Sequence, residues 1–140
     1  MGARKREMAK RHKEIRKHTA YAKLNGVPTS PRKMRMVADL VREVEVNRAL
    51  DILKYTKREC SRRLEKLLKS AIANWELKNE SDRKELENGN VFVKTIMVGE
   101  GAQLKRIRTA PKGRAARVRK RSNHVTIVLD KKPQTVKSEE

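Results

Sequence analysis

Aromatic side chains are almost missing from this chain of 140 residues: one Trp, two Tyr and one Phe make up 3% of it. Readers of single-stranded nucleic acid use aromatic platforms worth ~1–3 kcal/mol per base. None of Tyr21, Tyr55, Trp75 and Phe92 lies in a basic run, so aromatic stacking is excluded as the main mode of recognition. Cysteine occurs once, at Cys60, which rules out an intrachain disulfide and fits a reducing, cytoplasmic setting. No apolar run approaches the ~18 residues that span a bilayer. Met1–Lys17 lacks the apolar stretch of a secretory signal. The basic stretches also lack the Trp, Phe and Leu that an interfacial helix would present, so a membrane partner is not expected. The Arg-rich opening differs from a mitochondrial transit peptide in having no Ser and in carrying Glu7 and Glu14.

Acid is also scarce: 17 Asp and Glu face 37 Lys and Arg, a formal net charge of +20. So large a charge repels itself unless a partner supplies anions, which points to a polyanion and, with membranes set aside, to nucleic acid. With 36% hydrophobic residues the chain can build one modest core, and part of it must stay outside that core.

Residues 1–19 form a basic arm. Met8 and Ile15 are too sparse to bury a face, so the arm reads as a tail that does not fold unaided, or that orders on a nucleic-acid backbone. Residues 25–29 (NGVPT) read as a loop. Ser30-Pro31 marks a helix start, Ser as cap and Pro where no donor is needed. Met34, Val37, Ala38 and Val41 continue it to about residue 42. Val46, Ala49, Leu50 and Leu53 predict a short second helix. Thr56 and Glu59 have capping-box spacing ahead of a stripe of Leu64, Leu67, Leu68, Ala71, Ile72 and Trp75. Cys60 falls on that apolar face and is a packing residue, as is Trp75. Glu76, Glu80, Asp82, Glu85 and Glu87 gather around a polar loop, an edge that phosphates would repel and that faces water or a protein neighbour. Asn88-Gly89-Asn90 is a turn, followed by strand VFVKTIMV (Val91–Val98). A second strand, HVTIVLD (His124–Asp130), alternates at period two, and residues 131–140 read as a disordered tail.

Between the strands lies KRIRTAPKGRAARVRKR (Lys105–Arg121), with nine basic residues and no acid. A Pro and a Gly near its middle place a turn at Thr109–Gly113, which makes the whole stretch one long hairpin. About 20 residues from Val91 to Lys112 reach roughly 65 Å at ~3.3 Å each, against a body diameter of ~35 Å for a domain of this size. The tip must therefore protrude. A lone two-stranded ribbon is marginal in water, and this one carries cations on both faces, with Leu104, Ile107 and Val118 as its apolar relief. It makes sense with phosphates packed on more than one side. Folded RNA offers that, whereas duplex DNA offers one groove. Binding should rest on phosphates and shape, and weaken steeply with salt.

SPRKMRMVADLVR (Ser30–Arg42), SAIAN (Ser70–Asn74), LKRI (Leu104–Ile107), KGRA (Lys112–Ala115) and KRSNHVTIV (Lys120–Val128) resemble, in colinear order over about residues 20–130, the bacterial large-subunit ribosomal protein twenty-two family. The resemblance implies an α+β fold: a small body of three helices packed on a β-sheet, with a long protruding basic β-hairpin over about residues 99–124. It implies a structural role on the ribosome, binding large-subunit ribosomal RNA early in assembly and lining the polypeptide exit tunnel with the hairpin tip. Leu104, Lys105, Arg106 and Ile107 would flank the tunnel-side approach, and Thr109, Ala110, Pro111, Lys112, Gly113 and Arg114 would form the tip. Arg117, Arg119, Lys120 and Arg121 would clamp RNA along the stem, with Arg32, Lys33 and Arg35 on the first helix. Arg108, with Lys105, Arg106, Lys112 and Arg114, would join these contacts. His124 matches a stem-base histidine and is read as structural. The implied partners are ribosomal RNA, neighbouring ribosomal proteins and the nascent polypeptide, with no homo-oligomer. No catalytic residue, cofactor or metal is expected. The chain departs from the family where IRTAP sets Pro111 directly before Lys112, and where Glu43-Val44-Glu45 replaces Gly-Lys-Pro.

Two other classes fit the sequence less well. A DNA-architectural protein could wedge a Pro-tipped β-arm into a minor groove, but such benders are symmetric dimers and no dimer-forming stripe is evident. An enzyme acting on RNA would need more than the scattered His12, His18 and His124, with no metal-ligand spacing and no phosphate loop.

Overall fold

The computed structural model describes residues 2–79, 86 and 88–132. Its elements, in chain order, are helix α1 (Ala3–His18), strand β1 (Ala20–Val27), helix α2 (Pro31–Ala38) ending in a 3-10 turn (Asp39–Val41), helices α3 (Val46–Tyr55) and α4 (Glu59–Lys78), and strands β2 (Val91–Thr109) and β3 (Ala115–Lys131). The sheet is antiparallel in the order β1-β3-β2. This is the expected α+β fold: α2, α3 and α4 form the helical side of the body, and α1 is a fourth helix outside it.

Alternation places the core on one face of the sheet. Ala20, Ala22 and Val27 of β1, Val125, Ile127 and Leu129 of β3, and Val91, Val93 and Ile96 of β2 are all buried. Cross-strand neighbours such as Ala22, Ile127 and Ile96 share that face. The helices bury their apolar stripes on it: Met34, Val37 and Ala38 of α2, Ala49 and Leu53 of α3, and Leu64, Leu67, Leu68, Ala71 and Trp75 of α4. Leu64 and Leu68, almost fully enclosed, each contribute about 1.5–3 kcal/mol by transfer from water. Cys60 is buried on the same face, as its position in the stripe predicts.

Three local expectations are corrected. Thr56 and Glu59 form no capping box. The Thr56 hydroxyl donates to Ile52 O at 2.6 Å and closes the end of α3. Helix α4 begins after Arg58, which makes no side-chain cap, and Glu59 pairs with Arg63 one turn on at 2.9 Å. The buried Ser61 hydroxyl, 2.7 Å from Thr56 O and 2.6 Å from Arg58 O, secures the entry to α4 in their place. Second, Asn25 and Gly26 belong to a strand: β1 runs to Val27 with a register shift between Leu24 and Val27, Gly26 having φ +67°. Its small alanines gave no strand signal, and β3 supplies the pairing. Third, residues 3–18 form a continuous helix. Ala and long straight side chains favour it, although Met8 and Ile15 stay 54% and 61% exposed, so it buries no face. Lys78, the last residue of α4, donates to Arg16 O at 3.1 Å and Thr19 O at 2.7 Å. It thereby caps orphan carbonyls at the end of α1.

Ser30 sits at the N-cap of α2 with its hydroxyl making no cap bond. Glu76 is half-buried on α4, and Glu80, Asp82, Glu85 and Glu87 lie outside the described residues, as does the tail from residue 133. Lys131 ends β3.

Candidate nucleic-acid interface

Strands β2 and β3 pair from Val91 opposite Lys131 to Thr109 opposite Ala115, with register shifts at Lys94 and at residues 101–102. At ~3.3 Å per residue this ribbon is roughly 60 Å long. Its body half is buried on the core face. Its outer half is not: residues 102–120 are exposed apart from the half-buried Ala110. The change comes at a bulge, where Gly101 and Ala102 stand opposite Ser122, between the pairs Glu100–Asn123 and Gln103–Arg121. An extra residue in one strand twists and re-aims the ribbon. Gly101 is required there, because a Cβ would lie 2.6 Å from Ser122 Oγ and 3.1 Å from His124 Nε2. Ser122 donates to Ala102 O at 2.6 Å and closes the bulge.

The side chains of the root fix how the arm leaves the body. Asn123 is fully buried, and its Nδ2 donates to Thr29 O at 2.7 Å and to Thr29 Oγ1 at 2.8 Å. It ties the β1–α2 connection to the arm's inner end. His124 accepts a hydrogen bond at Nδ1 from Gly26 N–H at 3.0 Å, in keeping with its structural reading.

Register sorts the arm's cations. One face holds Leu104 opposite Lys120, Arg106 opposite Val118, and Arg108 opposite Ala116. The other holds Gln103 opposite Arg121, Lys105 opposite Arg119, and Ile107 opposite Arg117. Like charges facing directly across a ladder destabilise it, so Lys105 and Arg119 make the ribbon dependent on outside anions. Carboxylates reach it at its root, where Glu100 lies 3.9 Å from Arg121. At the tip, Lys112 and Gly113 have φ +59° and +67°, and Arg114 N–H donates to Pro111 O at 3.4 Å. Two positive φ values are the sign pattern of a type I′ hairpin turn. Pro111 precedes the turn's central pair, and Lys112 adopts a left-handed conformation alongside Gly113.

On α2, Arg32 and Lys33 are exposed, while Arg35 donates to Val98 O at 3.2 Å and ties the helix to β2. The structure brings Lys33, Lys120 and Arg121 together around a cleft of about 1190 Å³ at the arm root, with Leu104 of the expected tunnel-side approach in its wall. Arg117, Arg119 and the tip cations lie farther out along the ribbon. Sequence reasoning missed Arg58 and Met36 in the same cleft. Met36 lies on α2 and Arg58 just ahead of α4, and no local pattern joins them. It also missed a smaller basic hollow, of about 570 Å³, lined by Lys23, Arg62, Arg63 and Lys66 on β1 and α4, because alternation of charge along α4 reads as an ordinary solvated face.

A family model described as ribosomal protein L22p/L17e matches residues 22–130. The chain is 62% identical over 129 residues to the large ribosomal subunit protein uL22 of Christiangramia forsetii, covering 92% of this chain and 94% of that one. It is 58% identical over 132 residues to the protein of the same description from Bacteroides fragilis (94% and 95% covered), and 57% identical over 130 residues to that from Porphyromonas gingivalis (93% and 95%).

Proposed function

The chain belongs to the ribosomal protein L22p/L17e family, a structural component of the large ribosomal subunit and not an enzyme, and on that premise we propose that its arm threads ribosomal RNA to the wall of the polypeptide exit tunnel. The observation that carries this is the exposed outer ribbon with cations on both faces, Lys105 set directly against Arg119. Phosphates on two sides would neutralise it, and RNA folded around the arm supplies them. Lys105, Arg106, Arg108, Arg117, Arg119, Lys120 and Arg121 contact the RNA backbone along the stem. Lys112 and Arg114 do so at the turn, and Arg32, Lys33 and Arg35 at the body. Thr109, Ala110, Pro111, Lys112, Gly113 and Arg114 present the tip to the nascent chain, with Lys105 and Arg106 on its approach. Neighbouring ribosomal proteins meet the faces that phosphates avoid, and early RNA binding by body and arm together aids assembly.

Fractionation of a cell lysate on a sucrose gradient tests the reading. The chain is expected in the large-subunit and ribosome peaks, persisting through moderate salt. Recovery with chromosomal DNA would overturn it.

A further inference from the structure

The arm-root cleft has the composition of a nucleotide site, and we infer that it holds one unstacked RNA nucleotide, its base against Arg58, Met36 and Leu104 and its phosphates on Lys33 and Lys120. This rests on the RNA-binding reading above and adds a site to it. The cleft of about 1190 Å³ lies where the entries to α2 and α4 meet the first exposed residues of the arm. Its apolar surface includes Met36 and Leu104, which remain 50% and 54% exposed. The Arg58 guanidinium is held beside that surface, its Nη1–H donating to Met36 Sδ at 3.5 Å, and no carboxylate pairs with it among the described residues. Arg58 is exposed beside that bond, and unpaired RNA bases stack on Arg planes as they do on aromatic rings. In a chain with one Trp, two Tyr and one Phe, this is how a base can be held.

The charges around the platform suit the rest of a nucleotide. Lys33 and Lys120 face the cleft from opposite elements. Glu59 is the carboxylate in its wall, and Arg63 holds it at 2.9 Å. Arg121 shares Glu100 at 3.9 Å and is the weaker cation of the set. An acidic protein segment would be served by the lysines alone. The guanidinium–thioether platform favours a planar, π-faced ligand joined to an anion, which is what an extruded nucleotide offers.

The test places a genetically encoded diazirine side chain at position 36, and separately at position 117 on the arm as a reference, in the full chain assembled into large subunits in cells. After irradiation, position 36 should crosslink to the base of one nucleotide, and position 117 to RNA elsewhere. If position 117 reaches RNA while position 36 reaches protein, the sugar-phosphate backbone alone, or nothing, the nucleotide site is wrong and the RNA reading stands. If neither reaches RNA, both fail. A second measurement separates platform from charge in binding to purified large-subunit RNA. The double variant Met36→Ala/Leu104→Ala should lose about three- to tenfold in affinity with the slope of log K against log salt unchanged. Lys120→Ala should instead lower that slope by about 0.7. An unchanged affinity in the double variant would overturn the platform.

Discussion

Asn123→Asp swaps one side-chain NH2 for an oxygen at constant size, in a place where the exchange should be felt strongly. Asn123 is fully buried, and its Nδ2 gives hydrogen bonds to Thr29 O and Thr29 Oγ1 at 2.7 and 2.8 Å. Its Oδ1 has no partner among the described residues. An ionised Asp there would lose both donated bonds, about 1 kcal/mol each, and would set a carboxylate against a carbonyl oxygen out of reach of water. The folded state escapes part of that cost by keeping the acid protonated, so the pKa rises above the ordinary ~3.9. An unpartnered buried charge costs ~3–5 kcal/mol. The sign follows from linkage: the folded variant holds its proton more tightly than the unfolded chain. The penalty is therefore smallest below pH ~4, grows as pH rises toward the folded-state value, and levels off above it. Urea unfolding followed by circular dichroism at pH 4, 5.5 and 7.5 should show Asn123→Asp weakened by ~1 kcal/mol at the lowest pH and by ~3–5 kcal/mol at the highest. Asn123→Ala should lose a pH-independent ~1–2 kcal/mol. An Asp variant that lags the parent equally at pH 4 and 7.5 would refute the buried Thr29 contact.

Glu43 has φ +60° where the family pattern has Gly-Lys-Pro. Glu43→Gly should stabilise the body by about 0.5–1 kcal/mol, the left-handed strain of ~1–2 kcal/mol being partly offset by glycine's extra unfolded entropy. The thermal midpoint reads the gain, and Glu43→Ala should give none. Gly101→Ala should cost about 1–2 kcal/mol through its 2.6 Å contact with Ser122 Oγ. Adding Ser122→Ala should recover part of that loss in a double-mutant cycle, and strict additivity would place the clash elsewhere. Excising Leu104–Arg114, with a short turn rejoining the strands, should leave a cooperative thermal transition intact because those residues bury little. Loss of the transition would make the arm part of the core.

The interior helices were legible because burial repeats at the helical period: Met34, Val37 and Ala38, and the Leu64-to-Trp75 stripe, lie where their spacing put them. The arm was legible for the opposite reason, since nine cations in Lys105–Arg121 cannot be buried and flanking strand signals turn them into a ribbon. Strand β1 was not legible, its AYAKLNGV owing its conformation to pairing with β3. The capping box failed because a four-residue spacing cannot reveal that Thr56 closes α3 and that α4 starts after Arg58.

What the sequence by itself determined is therefore the inventory: a basic, disulfide-free chain, one small helical core, and a long ribbon needing anions around it. Charge and hydrophobic period are local properties, and they survive without knowledge of the fold. Only the tertiary structure decided how the arm is rooted and what it faces. Asn123 reaching Thr29, Gly101 yielding to Ser122, and Arg58 donating to Met36 Sδ join residues 94, 21 and 22 positions apart. Such contacts are fixed by packing and register, which no local pattern records.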